Sequence, residues 1–399
     1  MTQTAETTAK DVWSDGRHVL TASSTRAHKK CPYLYYLQYV LGIRPAIEEQ
    51  ALRFGKAWHR CLELLAGGQS VEQVVAQIDQ WYAQCPTHVE LTDWHVERET
   101  LAAAISAYDW FWKIDPAQVE ACEQTFNLPI VNPETGAAST KWRMAGKIDK
   151  RVRRGERLLV REHKSSSADL SPQSDYWLQK RLDSQISFYV LAGRQLNGVA
   201  GVDYDVFRKP QIRPSMLTQA ETKAFVQSGE YCGDRFDVYV ATDLDGGPMV
   251  SVDTIVADVK LGAAPKPTKA NPNPEQPFAI RETPAMFGAR LVQTICAEPA
   301  RYFARQEIAR TELDLEQFRH ELWAQMQAIN DQTLSGRFFR NENACLQKGD
   351  KKCPYCSICW FGCEVRISDD GSIIEDLPDG FEIKPFMHEE LLSDSSESD

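Results

Sequence analysis

Three residues on one stretch have types and spacing suited to phosphodiester chemistry. The stretch is GKIDKRVRRGERLLVREHK, residues 146–164. A tight turn near Gly155 folds it into a hairpin in which Asp149 falls across from the neighbourhood of Glu162. Glu162 and Lys164 are two apart on the second strand, so both point to one face. Two carboxylates can hold Mg²⁺ or Mn²⁺, hard cations that keep several waters. Such a metal polarises a phosphodiester and lowers the pKa of bound water. A lysine beside it can position that water or stabilise charge building on phosphorus. Acid-x-Lys alone is a weak signal, because an exposed strand edge of alternating charge reads the same. A basic run brackets the acids (Lys147, Lys150, Arg151, Arg153, Arg154, Arg157, Arg161) and could steer phosphate inward. The rival reading of those charges is a solvated hairpin tip.

A second chemical signal is CPYCSICWFGC, which places Cys353, Cys356, Cys359 and Cys363 within eleven residues. Five of the eleven cysteines fall between Cys345 and Cys363. The polar N-terminus has no secretion signal, so metal ligation is a better expectation than disulfides. Read locally, the spacing is that of a bacterial ferredoxin, or of four thiolates on zinc. The ferredoxin pattern calls for proline after the fourth cysteine and for a second cysteine set. Here Glu364 follows, and no second set exists.

These residues need elements to hold them. Ser and Thr caps precede an aromatic-rich helix, CPYLYYLQYV, that ends near Pro45. LRFGKAWHRCLELLAGG reads as a second helix, with Phe54, Trp58, Leu62 and Leu65 as its stripe and Gly67-Gly68 as its stop. Two more helices are expected over about 70–84 and 91–113. A strand-rich block follows, then a helix over about 173–196, the strand GVDYDVFRK, a Pro-rich crossing over 263–284 and one helical region over about 285–332. On helices, His59 and Glu63 share a face, as do Gln185 and Tyr189. No Walker-type phosphate loop is present.

The 399-residue chain carries a formal charge of −11, which argues weakly against a nucleic-acid partner. Residues 369–399 hold eleven of the acids and one lysine, so the body is near neutral. The Ser- and acid-rich end reads as disordered. It could cover a basic face or dock a partner. No apolar run has the length of a membrane helix, and the expected compartment is the cytoplasm.

Taken in order, seven stretches resemble the RecB-like branch of the PD-(D/E)XK nuclease superfamily, closest to iron–sulfur exonucleases of phage type and CRISPR-adaptation nucleases. They are CPYLYYLQYV (31–40), FGKAWHRCLE (54–63), EQTFNLPI (123–130), GKID (146–149), REHKSS (161–166), QISFY (185–189) and FFRNENACLQKGDKKCPYCSIC (338–359). The resemblance implies an α/β fold: a restriction-endonuclease-like core with a mixed central sheet flanked by helices, an N-terminal helical lid and a C-terminal cysteine-rich segment. It implies a flexible lead-in at 1–20, a single nuclease domain at 21–365 and an acidic tail at 366–399. Within the domain the parts are helical (about 21–115), catalytic (about 116–260), and helical with cluster (about 285–365).

The resemblance also implies roles. His59 becomes a metal ligand from the lid. Asp149 and Glu162 become the central metal acids, with the His163 carbonyl a further ligand and Lys164 the catalytic lysine. Glu123 supports the metal site, with Glu120 as its competitor. Gln185 and Tyr189 contact the DNA strand. Glu-His-Lys stands where many relatives have Asp-Tyr-Lys, which stays within the superfamily's pattern. Cys31, Cys345, Cys353 and Cys359 become ligands of a 4Fe-4S cluster, with Cys356 and Cys363 extra. A link from residue 31 to residue 359 would remove closure entropy on the order of 4–6 kcal/mol. The implied activity is a metal-dependent DNA exonuclease using Mg²⁺ or Mn²⁺ on single strands or ends. A helicase or recombination protein is an expected partner. The rival is a non-catalytic nucleic-acid-binding adaptor that keeps the fold.

Overall fold

The computed structural model describes residues 17–242, 247–267, 276–346, 352–360, 366–367, 373–375, 377–384 and 386–391. Cys363 and the last eight residues, both singled out above, lie outside the described residues.

A six-stranded mixed sheet forms the centre. Its strands are β1 (His18–Leu20), β2 (Gln118–Val131), β3 (Ala138–Arg154), β4 (Arg157–Ser166), β5 (Gly201–Arg208) and β6 (Phe303–Ala309). The order is β1-β3-β4-β5-β6, with β2 paired to β3. β1 runs parallel to β3, and β4 parallel to β5; the other pairs are antiparallel. The β3–β4 turn is the expected one: Arg154 pairs with Arg157, and Gly155 takes φ +59°. A two-residue hairpin loop needs positive φ, which glycine adopts without steric cost. The glycine of GKID has another reason. A Cβ on Gly146 would lie 2.5 Å from the Phe126 ring on β2.

Nine helices matter for the site and its supports: α1 (Ala22–Lys30), α2 (Gln50–Ala66), α3 (Val71–Trp81), α4 (Leu91–Phe111), α5 (Asp175–Leu182), α6 (Ser184–Asn197), α7 (Gln219–Ser228), α8 (Pro284–Ala297) and α9 (Glu312–Ser335). On one face of the sheet, Ile186 and Phe188 of α6 and Phe318 and Leu322 of α9 cluster with Val160, Val202 and Tyr204. On the other, the expected stripe of α2, with Phe54, Trp58 and Leu62 buried, clusters with Leu101, Phe287, Phe207 and Phe303. A satellite core of Leu217, Phe225, Val250, Val252 and Ile280 joins α7 to a small antiparallel sheet. It falls partly within the span expected to be catalytic core.

The structure departs from the sequence expectations in four places. The helix expected over 173–196 is two helices. Asp183 breaks it, because its side chain caps the Gln185 amide at 2.9 Å instead of continuing the helix. The helical region expected over 285–332 breaks at Glu298, turns once more as helix over Pro299–Tyr302 and then forms strand β6. His18–Leu20, within the expected lead-in, form β1, and Leu20 is fully buried. Part of the expected tail is docked: Phe381–Ile383 pairs with Ile43–Pro45, and Leu391 is buried.

β6 completes an antiparallel ladder with β5, and its charge reaches buried partners. Arg305 pairs with Asp205 of β5 at 2.9 Å and with Asp115 at 2.6 Å. Arg161 of β4 pairs with Asp115 at 2.5 Å and with Asp203 of β5 at 2.9 Å. Arg161, Asp203 and Asp205 are almost wholly buried. Removing one member of such a network strands its partners in low dielectric. Arg161→Ala should therefore destabilise the fold by about 3–5 kcal/mol in chemical denaturation.

Candidate active site

The site lies where two strands part. The β3–β4 ladder runs from Arg154–Arg157 to Lys150–Arg161. One step further, Asp149 would face Glu162. Instead the His163 N–H donates to Asp149 Oδ2 at 2.8 Å, so a carboxylate takes the place of a ladder carbonyl. β3 is held elsewhere: Trp142–Met144 pair with β1. The long strand is thus shared by β1 and β4, and Asp149 sits between the two paired stretches.

Glu162 is buried, at 2% exposure. Its Oε1 accepts from Lys164 Nζ and from Gln185 Nε2, the latter at 3.2 Å. Its Oε2 is buried with no hydrogen-bond partner. Burial, then the Asp149 charge, push the Glu162 carboxyl up to about 7, against the pull of Lys164. Asp149 moves the other way. Burial acts to raise it, but His59, Lys164 and His163 together hold it well below the usual carboxylate range. Lys164 is raised: burial opposes its charge, and the Glu162 and Asp149 carboxylates more than compensate. Two adjacent acids pushed apart in this way mark a functional site more often than a structural one.

The break at Asp183 sets up the next layer. Arg26 of α1 donates through Nη2 to Asp183 Oδ1 and to Gln185 Oε1, both at 3.0 Å. With its oxygen occupied, Gln185 turns its amide nitrogen to Glu162 and to Tyr189 Oη at 3.1 Å. The sequence pair Gln185/Tyr189 is therefore at the site. Arg26 and Asp183 were missed, since an arginine in a capped helix and an acid inside an expected helix carry no distinguishing pattern.

From α2, His59 places Nδ1 3.4 Å from Asp149 Oδ2. Glu63, its helix-face neighbour, acts on Cys122 instead. The His163 ring is buried beside Asp205, with Nδ1 3.4 Å from Oδ2. Burial, then Lys150, lower it to about 4 despite Asp205, so the ring stays neutral. What His163 brings to Asp149 is its backbone amide. Glu123 lies between the pairs Cys122–Lys150 and Gln124–Ile148, at the register position of Asp149 but not itself paired with it. Its φ of +51° is strained for a residue with a Cβ, at about 1–2 kcal/mol. Its carboxylate pairs with Lys147, and the competitor Glu120 pairs with Arg151 and Arg153. The basic run is largely neutralised: Arg154 pairs with Asp203, Arg157 with Glu307, and Arg161 is buried. It is not the free phosphate-steering face the sequence suggested.

The cysteines meet at another corner. Cys31, Cys345, Cys353 and Cys359 line one small pocket with Leu34 and Tyr355. Cys356 is not among its lining residues, and its sulfur faces the Cys345 carbonyl. Burial pushes the Cys359 thiol up to about 12, and the Cys353, Cys31 and Cys345 sulfurs add to the rise. Mutually repelling thiols of this kind ionise readily only on a cation. Of the tyrosines that follow α1, Tyr33 and Tyr36 pack at this corner on Leu37, Leu41 and Ile358, whereas Tyr35 is buried in the core of the central sheet.

Among the described residues, no three His, Cys, Asp or Glu side chains close on a common point as a complete metal site does. The donor chemistry nevertheless fits a divalent cation at the strand junction. Glu162 Oε2 is a buried carboxyl oxygen with no hydrogen-bond partner, and Asp149 and His59 lie beside it. Small hard cations take only one or two carboxylates and keep waters. Among the described residues, no helix is long and apolar enough to cross a membrane.

The family model for the PD-(D/E)XK nuclease superfamily matches residues 19–360. No curated protein matches the chain.

The raised Glu162 pKa gives a pH test. The folded protein keeps a proton that the unfolded chain releases near 4.5, so this group's contribution to stability fades as pH rises from about 4.5 through 7. A cation must displace that proton. Mn²⁺ affinity, measured by titration calorimetry, should fall by about tenfold per pH unit below 7 and level off above it. Glu162→Gln should remove both the binding and this pH dependence.

Proposed function

Since the chain belongs to the PD-(D/E)XK nuclease superfamily, we propose that it is a metal-dependent DNA exonuclease of the RecB-like branch, acting on single strands or ends. The observation that carries this reading is the buried, unpartnered Glu162 Oε2 beside Asp149 and Lys164. Asp149, Glu162 and His59 would hold Mg²⁺ or Mn²⁺, which when bound supplies Lewis acidity and lowers the pKa of water. The chain's own groups do the rest. Lys164 keeps its proton and presents a fixed positive charge where negative charge develops on phosphorus. Gln185, oriented by Arg26, holds Glu162 and Tyr189 in register. The His163 amide fixes Asp149. The neutral His163 ring and the Asp205 network behind it make that strand junction rigid.

We also propose that Cys31, Cys345, Cys353 and Cys359 hold a 4Fe-4S cluster with a structural role. Their shared pocket supports this. A four-iron cube is wider than a single ion, so its ligands stand further apart than those of mononuclear zinc. The link would join α1 to the C-terminal segment and leave Cys356 outside.

Two measurements test these readings. On end-labelled single-stranded DNA with Mg²⁺ or Mn²⁺, the anaerobically purified protein should digest from an end. Lys164→Ala should be slower by at least about 100-fold. If both are inert while binding DNA, the adaptor reading takes over. Cys31→Ser should lose iron in a colorimetric assay and unfold at lower denaturant. Full iron and unchanged stability would remove the clamp.

A further inference from the structure

We infer that the exposed face of α1 and the aromatic corner beyond it form a track for unpaired DNA, leading away from the active site. The inference rests on the nuclease reading for its ligand and on geometry for its path. α1 buries Ala22, Ser24, Thr25, Ala27 and His28. Its exposed residues include Arg26 and Lys30, four apart and therefore on one face. Arg26 ends on Gln185, which touches Glu162. Lys30 lines the cysteine pocket, together with Arg340 and Trp360. One helix turn, about 5–6 Å, thus joins the two places.

At the far end, the Arg340 guanidinium lies over Tyr33 at 5.4 Å and over Trp360 at 4.9 Å. Trp360 is 48% exposed and Phe339 62%. Tyr33 N donates to the Phe339 carbonyl at 3.1 Å, so that backbone is held to the corner. Exposed rings interleaved with cations match bases and phosphates of a single strand, whereas a duplex has no free base faces to stack. The charges differ from those of the hairpin. Among the described residues, Lys30, Arg337, Arg340 and Lys352 have no carboxylate partner, while Arg151, Arg153, Arg154, Arg157 and Arg161 each do. Lys29 is paired with Glu321, and Glu342 is an exposed acid near this corner among the described residues. In a chain of net charge −11, cations without a carboxylate partner among the described residues, beside exposed rings, are a specific surface.

The test is fluorescence anisotropy with the full chain in EDTA, where no hydrolysis occurs. The probes are labelled oligothymidylates of about 4 and 12 nucleotides, an abasic strand of about 12 and a duplex of the same length. Phe339→Ala should weaken the longer thymidylate about tenfold. Phe339→Tyr should restore it, and the abasic strand should bind both proteins alike. Lys30→Gln should reduce the slope of log affinity against log salt by about 0.7. Iron content and melting temperature equal to wild type would show that the corner is intact. Wild-type affinity for the longer thymidylate in Phe339→Ala and Lys30→Gln overturns the track, as does equal loss on the duplex or no binding by the wild type. Because the assay is free of hydrolysis, a chain that shows these losses yet digests nothing keeps the track and refutes the nuclease. A chain that digests without showing them does the reverse.

Discussion

Two carboxylates, Asp149 and Glu162, are held close together in a buried place where β3 and β4 separate, and their repulsion is the constraint the surrounding structure answers. Like charges at low dielectric do not ionise together unless something holds them there. Asp149 stays ionised because the His163 amide and His59 lie on one oxygen. Glu162 is left with its proton close to neutral pH, with Lys164 and Gln185 on one oxygen and nothing on the other. Such a site is costly in the free protein and suited to a cation. Stability given up locally for function is a common arrangement.

The supports lie in two layers. Behind the junction, Arg161, Arg305, Asp115, Asp203 and Asp205 form a buried network across β4, β5 and β6, and it packs against the His163 ring. In front, Arg26 of α1 fixes the orientation of Gln185. Five residues further along the same segment is Cys31, at the corner where the C-terminal cysteines gather. α1 therefore acts as a strut between the acids and the cysteine corner. Anything that loosens the corner should be felt at Gln185.

Much of this was legible in the sequence, for identifiable reasons. The hairpin, its turn and the nearness of Asp149 to Glu162 follow from Gly155 and strand periodicity, which are local; that the ladder stops one step short of the two acids does not. The α2 stripe follows from helical periodicity. Gln185 and Tyr189 came from the resemblance, as did the four cysteines that share a pocket. What was missed depends on distant partners. Strand β6 has the composition of a helix, and its conformation follows from distant partners: its ladder with β5, the burial of Phe303 and Ile308, and the ion pairs of Arg305. The break at Asp183 depends on a cap competing with helix propagation. The basic run looked free because the acids that neutralise it lie elsewhere in the chain. The left-handed backbone of Glu123 has no sequence signal at all, since glycine, not glutamate, marks such positions.

The central claim is that Glu162 is a strained carboxylate kept for a cation. The most direct measurement is thermal unfolding of wild type and Glu162→Gln at pH 8, with and without Mn²⁺. The account predicts that Glu162→Gln melts higher than wild type in EDTA, because an unfavourable buried charge is gone. It also predicts that Mn²⁺ raises the wild-type melting temperature and leaves that of the variant unchanged. A variant that melts lower than wild type in EDTA, or that keeps the full Mn²⁺ shift, would contradict it.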